Sequence, residues 1–70
     1  MSIAIIRIHS AFARENATAA AMGTLVGGQV DVLSFDLQKA ELRINSNQLE
    51  RAMRILIRNN VQATVVESEG

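Results

Sequence analysis

The sequence predicts a small α+β fold in which two helices cover one face of a four-stranded antiparallel sheet. Short stretches rich in β-branched residues alternate with two helical stretches, in the order strand, helix, strand, strand, helix, strand. This order is that of the ferredoxin-like βαββαβ arrangement. Because right-handed crossovers bring both helices to the same side of a sheet, we expect the other sheet face to be uncovered.

The first half of this pattern lies before residue 30. Residues 2–9 are dense in β-branched side chains and predict a central strand. Residues 17–26 are rich in Ala, Met and Leu and predict a helix. Its apolar side would carry Ala19, Met22 and Val26, with Ala21 and Leu25 adjoining. Two consecutive glycines follow at 27 and 28, and they predict a left-handed helix stop.

The second half begins with a hairpin and ends with a strand. Residues 30–36 and 39–45 alternate with the period of a strand and predict a hairpin with a two-residue connection. Residues 47–58 predict an amphipathic helix whose apolar face is Leu49, Ala52, Met53 and Leu56. Its start has the spacing of a capping box, Asn47 with Glu50, and Asn59 with Asn60 would end it. Residues 61–67 predict the closing strand.

Composition and charge argue against several classes of function. One domain, residues 1–70, accounts for the whole length, and its 7 basic and 7 acidic residues give a net charge of zero. This zero net charge argues against binding of nucleic acid or of a membrane surface, and the presence of only 2 aromatic residues argues further against binding of single-stranded nucleic acid. The absence of Cys excludes disulfides and thiolate metal sites, and we expect no metal and no other cofactor. Arg7 and His9 interrupt the apolar start, which is unlike a signal peptide, so we expect a cytoplasmic protein.

The uncovered sheet face is the first candidate for a function. Polar residues of three predicted strands share one alternation phase, and we assign that phase to this face. The same phase carries apolar residues, which would form a patch ringed by charge. A domain of this size buries only about 60% of its unfolded surface and often needs self-association. We therefore predict a homo-oligomer, or docking to a larger protein, through this face or a sheet edge. The predicted interface residues are Ile3, Ile5, Val32 and Val66, with Val30 beside them.

The loop between the first strand and the first helix is the second candidate. In this topology it lies at the end of the sheet beside a helix start, where backbone amides can bind an anion or a small ligand. Its position alone suggests this, because the loop has no recognised binding motif. The candidate ligand-binding residues are His9, Ser10, Arg14, Glu15 and Asn16.

Enzyme chemistry is not expected. His9, Ser10 and Glu15 could suggest a nucleophile with a base, but neither a nucleophile elbow nor a glycine-rich anion loop surrounds them. The side of the second helix with Arg51, Arg54 and Arg58 is interpreted as a solvated basic face, because Glu50 stands four residues before Arg54.

The stretches VDVLSFDLQKAELRI and LERAMRILIRNNVQATVVE resemble the second half of the heavy-metal-associated domain of copper chaperones and metal-transporting ATPases. That family holds soft metal with Cys-x-x-Cys in the first loop. At this spacing the chain has Phe12 and Glu15, so the resemblance does not imply metal binding. It implies a diverged relative that would keep a docking surface for a domain of the same fold.

The strand order also resembles ACT-type regulatory domains, which bind amino acids at dimer interfaces. Their acidic-Pro-Gly loop is absent, since the chain has no Pro. Three hypotheses follow. The first is a non-catalytic module that binds or assembles through the uncovered face or an edge. The alternatives are a regulatory domain that senses an amino acid or anion, and a metallochaperone-like domain without metal.

Overall fold

A computed structural model describes residues 2–10 and 14–68. The antiparallel strands lie in the order β2-β3-β1-β4, so β1 and β3 are central and β2 and β4 are edges. The predicted ferredoxin-like α+β fold is confirmed. Along the chain the elements are β1 (Ile3–Ile8), α1 (Arg14–Gly27), β2 (Val32–Asp36), β3 (Glu41–Asn45), α2 (Leu49–Arg58) and β4 (Ala63–Ser68), with a 3-10 turn at Ser46–Gln48 before α2.

One core lies between the sheet and the two helices. Alternate residues of the central strands are buried, and both helices add one apolar side to them. Burial of each large aliphatic side chain stabilises the fold by roughly 1.5–3 kcal/mol. The fully buried large apolar side chains are Ile6, Leu25, Val30, Leu42, Ile44 and Leu56.

The buried side of α1 differs from the predicted one. Thr18, Ala21 and Leu25 are buried, whereas Ala19 is exposed and Val26 is 58% exposed. The predicted side through Ala19 and Val26 is therefore wrong. Alanine occurs all around this helix, so the apolar period that would mark a buried side is weak.

The end of α1 also differs from the expectation. No described glycine has a positive φ, and the left-handed residue is Gln29, with a φ of 65°. The helix ends at Gly27 as predicted, but the prediction that a glycine takes the left-handed conformation is wrong. Gly28 has a packing role instead, because a Cβ there would lie 2.5 Å from Cδ1 of Ile55 on α2.

The β2–β3 hairpin is longer than predicted. Asp36 pairs with Glu41, which leaves four residues in the connection instead of two. The Asp36 carboxylate accepts a hydrogen bond from the Lys39 amide at 3.1 Å, and Ala40 closes the turn with a φ of 56°. Asp side chains often bond nearby backbone amides in turns, and this hydrogen bond stabilises the four-residue connection.

The predicted capping box of α2 is wrong, but the predicted helix end is confirmed. The Asn45 side chain accepts from the Asn47 amide at 3.3 Å, so Asn47 belongs to the 3-10 turn. At the other end, Asn59 donates its amide to the Ile55 carbonyl at 2.8 Å, and Asn60 is left-handed with a φ of 61°. The predicted apolar face of α2 is also confirmed. It consists of buried Ala52 and Leu56 with Leu49 and Met53 packed against the core.

Both edge strands contain an irregularity in register. In β2 the pairing shifts between Val32 and Ser34, and in β4 it shifts so that Val66 has no partner across β1. A bulge changes which side chains face which side of a sheet. These two shifts determine which residues lie on the uncovered face.

Candidate functional site

The register of the strands defines the uncovered face of the sheet. Residues directly opposite each other on antiparallel strands point to the same side. Ala4, Ile6 and Ile8 of β1 are buried under the helices, so the alternate β1 residues and their cross-strand partners face away from them. We call this set the open face: Ile3, Ile5, Arg7, Ser34, Asp36, Glu41, Arg43, Asn45, Thr64 and Glu67.

The centre of the open face is apolar and flanked by charge. Ile3 and Ile5 are half-buried, and no described element covers them. In the row through Ile5, Arg43 lies on one side and Glu67 on the other. Both charged residues are exposed, and neither has an ion-pair partner among the described residues. This row therefore offers an apolar contact between two free opposite charges.

The next row of the open face contains an ion pair within the chain. The Arg7 guanidinium donates to the Glu41 carboxylate at 2.7 Å. Glu41 is only 8% exposed, whereas the Arg7 side chain is 48% exposed. A nearly buried carboxylate loses its contact with water, and this charge-assisted hydrogen bond offsets part of that loss.

Only part of the predicted interface lies on the open face. Ile3 and Ile5 lie there, and Val66 is 44% exposed at the bulge of β4. Val32 lies opposite the buried Ile44 and packs against the core, and Val30 is fully buried. The assignment of Val30 and Val32 to the open face is therefore wrong. Val30 precedes β2, and the bulge after Val32 reverses the phase of the remaining β2 residues.

Two of the predicted ligand-binding residues lie together at the end of β1. Nε2 of His9 forms a hydrogen bond with the hydroxyl of Thr64 on β4. Ser10 follows His9, and both line a shallow cleft of about 460 Å³ between α1 and the segment that joins α2 to β4. The other lining residues are Ile8, Ala17, Ala20, Ala21, Thr24, Asn59, Asn60, Val61 and Gln62.

The remaining predicted residues of this loop do not line the cleft. Glu15 and Asn16 are exposed at the start of α1. The backbone of Arg14 begins α1, but its side chain lies outside what the structure describes, as does Phe12. The structure thus brings His9 and Ser10 together with cleft residues that the sequence reasoning missed. Asn60, which was predicted only as a left-handed helix stop, lines a depression together with His9.

A second depression, of about 390 Å³, lies on the other side of His9. It is lined by the cationic residues Arg7 and Lys39 together with His9, Ser10 and Gln38. Arg7 is already paired with Glu41, so Lys39 is the main free charge there. A cation, an imidazole and a hydroxyl at one depression favour a small anion over an apolar ligand.

The described residues hold no group of three or more His, Asp or Glu side chains placed to bind a metal ion. Within the same part of the chain, no carboxylate contacts the ring of His9, which a triad-like base would need. On α2, Arg54 pairs with Glu50 at 2.9 Å, as the spacing predicted. Neither described helix has the length and apolar character needed to cross a bilayer.

Comparison with known proteins gives no match. No family model matches the chain, and no curated protein and no solved structure is significantly similar to it. The resemblances to heavy-metal-associated and ACT-type domains therefore stay predictions.

Proposed function

We propose that the chain is a non-catalytic assembly module that associates with a second copy of itself through the open face. The observation that carries this proposal is the position of Ile3 and Ile5. Both lie on a sheet face that no described element covers, while both helices pack on the opposite face. Contact between apolar surface and water is unfavourable. Association that buries this surface would contribute about 25 cal/mol per Å² of favourable free energy. A cytoplasmic location is part of this proposal.

The open face is a better candidate than the sheet edges. The edge strands expose a greater fraction of their apolar side chains, among them Phe35 at 51% and Val66 at 44%. However, both edges are interrupted by a shift in register. Bulges on edge strands twist the backbone and disturb the straight row of hydrogen-bonding groups that another strand would need. The face has no such interruption along β1 and β3.

Sedimentation velocity over a concentration series up to about 1 mM tests this proposal, since weak association is populated only near its dissociation constant. We expect the mass to rise with concentration in the wild-type protein, and Ile5→Glu to abolish the rise by placing a charge in the contact. Ile57→Glu is the matched control, because Ile57 is 67% exposed on α2, away from the open face. A monomeric wild-type protein at every concentration, or an unchanged Ile5→Glu variant, would contradict the proposal.

The second candidate is a domain that senses a small anion or amino acid at the end of β1. The observation that favours it is the depression that both Lys39 and His9 line. A ligand that binds only the folded state raises the thermal midpoint in proportion to the logarithm of its concentration. We expect phosphate, sulfate or an amino acid to raise it in the wild-type protein and less in Lys39→Gln. If none of these compounds shifts the midpoint, the second candidate is rejected.

A further inference from the structure

We propose that the partner of the open face is a second copy placed face to face, with a two-fold axis that lies between the sheets and follows β1. Arg43 of each chain then pairs with Glu67 of the other. This inference rests on the proposed function and specifies how the two copies meet. The observation behind it is the order of side chains in the row through Ile5, which runs from Arg43 to Ile5 to Glu67.

The geometry follows from the strand order. β1 lies between β3 and β4, so Arg43 and Glu67 lie about one strand spacing, roughly 4.8 Å, to either side of Ile5. A two-fold rotation about an axis along β1 places the β4 side of one copy over the β3 side of the other. Each Arg43 then faces a Glu67, and Ile5 faces Ile5. An isologous contact of this kind forms both charge pairs at once.

Other orientations of the same two faces are less favourable. A two-fold axis across the strands through the row of Ile5 would place Arg43 over Arg43 and Glu67 over Glu67, and like charges face to face cost free energy. With the axis along β1, the nearest like pair is Arg7 with Arg7. Each of these is already neutralised by Glu41 of its own chain at 2.7 Å. Of these two orientations, the charge pattern favours the axis along β1.

The size of the contact predicts a weak dimer. With the axis on β1, three strands overlap over about five residues, which is roughly 14 Å by 17 Å of sheet. Even when the uneven surface of the side chains is counted, the accessible surface that the two copies bury together is well below the roughly 1,200 Å² of stable interfaces. We expect a concentration-dependent dimer whose affinity falls as salt rises, because exposed ion pairs are screened.

Charge reversal tests the pairing. In Arg43→Glu every facing pair becomes Glu with Glu, and in Glu67→Arg it becomes Arg with Arg. Each single variant should bind itself at least about tenfold more weakly than the wild-type protein. A mixture of the two variants restores both opposite-charge pairs and should form a one-to-one dimer, twice the 7.6 kDa mass of the chain. The double variant should also self-associate nearly as the wild type does.

Arg51→Glu is the matched control, because it changes the net charge as Arg43→Glu does but lies exposed on α2. It should leave self-association unchanged. Circular dichroism checks that every variant folds. If a charge-reversal variant does not fold, the neutral variants Arg43→Gln and Glu67→Gln are measured in its place. Those neutral variants should lose the salt dependence of dimerisation.

Failure of this inference is distinguishable from failure of the proposed function. If the wild-type protein dimerises and Ile5→Glu prevents it, but the mixed variants do not associate, the assembly function stands and this orientation is wrong. If mixing produces polymers larger than a dimer, the contact is head-to-tail and the two-fold axis is wrong. A wild-type protein that stays monomeric overturns both proposals.

Discussion

Moving a glycine by two positions at the end of α1 should stabilise the protein. Gly27 is the last residue of the helix, has no positive φ, and has no atom within 4 Å of the place where a Cβ would stand. Gln29, two residues later, is exposed and left-handed with a φ of 65°. The residue that bears the left-handed strain is therefore not a glycine, and a neighbouring glycine lies where alanine would fit.

The expected magnitudes follow from these two conformations. Gly27→Ala should raise the free energy of unfolding by about 0.5–1 kcal/mol, because glycine loses more backbone entropy in a helix than alanine. Gln29→Gly should raise it by about 1 kcal/mol by removing the contact between Cβ and backbone in the left-handed region. For a chain of this size, each kcal/mol corresponds to roughly 4–8 °C in the midpoint of thermal unfolding.

Urea unfolding followed by circular dichroism is the assay, with each variant measured singly and then together. The midpoints should rise while the slopes stay constant, since the surface exposed on unfolding is unchanged. Gln62→Gly is the control, because Gln62 is exposed and does not have a positive φ. The reasoning is refuted if Gly27→Ala destabilises the protein. That result would mean that Gly27 is left-handed, as the sequence pattern had indicated.

Three further changes test other contacts. Gly28→Ala should lower the thermal midpoint, because the added Cβ would lie 2.5 Å from Cδ1 of Ile55. The loss should disappear in an Ile55→Val background, because valine lacks that carbon. An equal loss in both backgrounds would reject this contact. Leu56→Ala should cost about 2–5 kcal/mol, a large part of the roughly 3.5–10 kcal/mol expected for 70 residues, and a loss below about 1 kcal/mol by urea unfolding would place Leu56 outside the core. Glu41→Gln should lower the free energy of unfolding by about 1 kcal/mol, because it removes the charge that pairs with Arg7. The thermal midpoint should then depend less on salt, and an unchanged salt dependence would contradict that pairing.

The order of elements could be predicted from the sequence because each element has a recognisable composition, even where, as in α1, its apolar period is weak. Residues 49–58 repeat apolar side chains with a clear helical period, and the buried face of α2 was identified correctly. The first strand was identified by its β-branched residues. Right-handed crossover then leaves few ways to arrange four strands and two helices.

The composition of the open face could be predicted only in part. Strict alternation identified Ile3 and Ile5, but it failed for Val30 and Val32 because β2 contains a register shift. In the run VDVLSFD the alternation of apolar and polar residues breaks where Leu33 follows Val32, and the bulge lies at this place, so strict alternation missed a mark that the sequence contains. The position of Glu67 beside Ile5 depends in the same way on the bulge of β4.

The surroundings of His9 depend on contacts between distant parts of the chain. His9 and Thr64 are 55 residues apart in sequence and meet across neighbouring strands. The sequence indicated the end of β1 as a binding position from topology alone, and it could not show which side chains of the α2–β4 segment would join it. Long-range neighbours of this kind follow from the register and not from local patterns.

The most direct measurement of the central claim is an isotope-filtered NMR experiment on a mixture of labelled and unlabelled protein at millimolar concentration. Our account predicts intermolecular contacts from the methyl groups of Ile5 to Ile5 of the other chain, and from Arg43 to Glu67. Intermolecular contacts confined to Phe35 and Val66 at the sheet edges, or to α1, would contradict it.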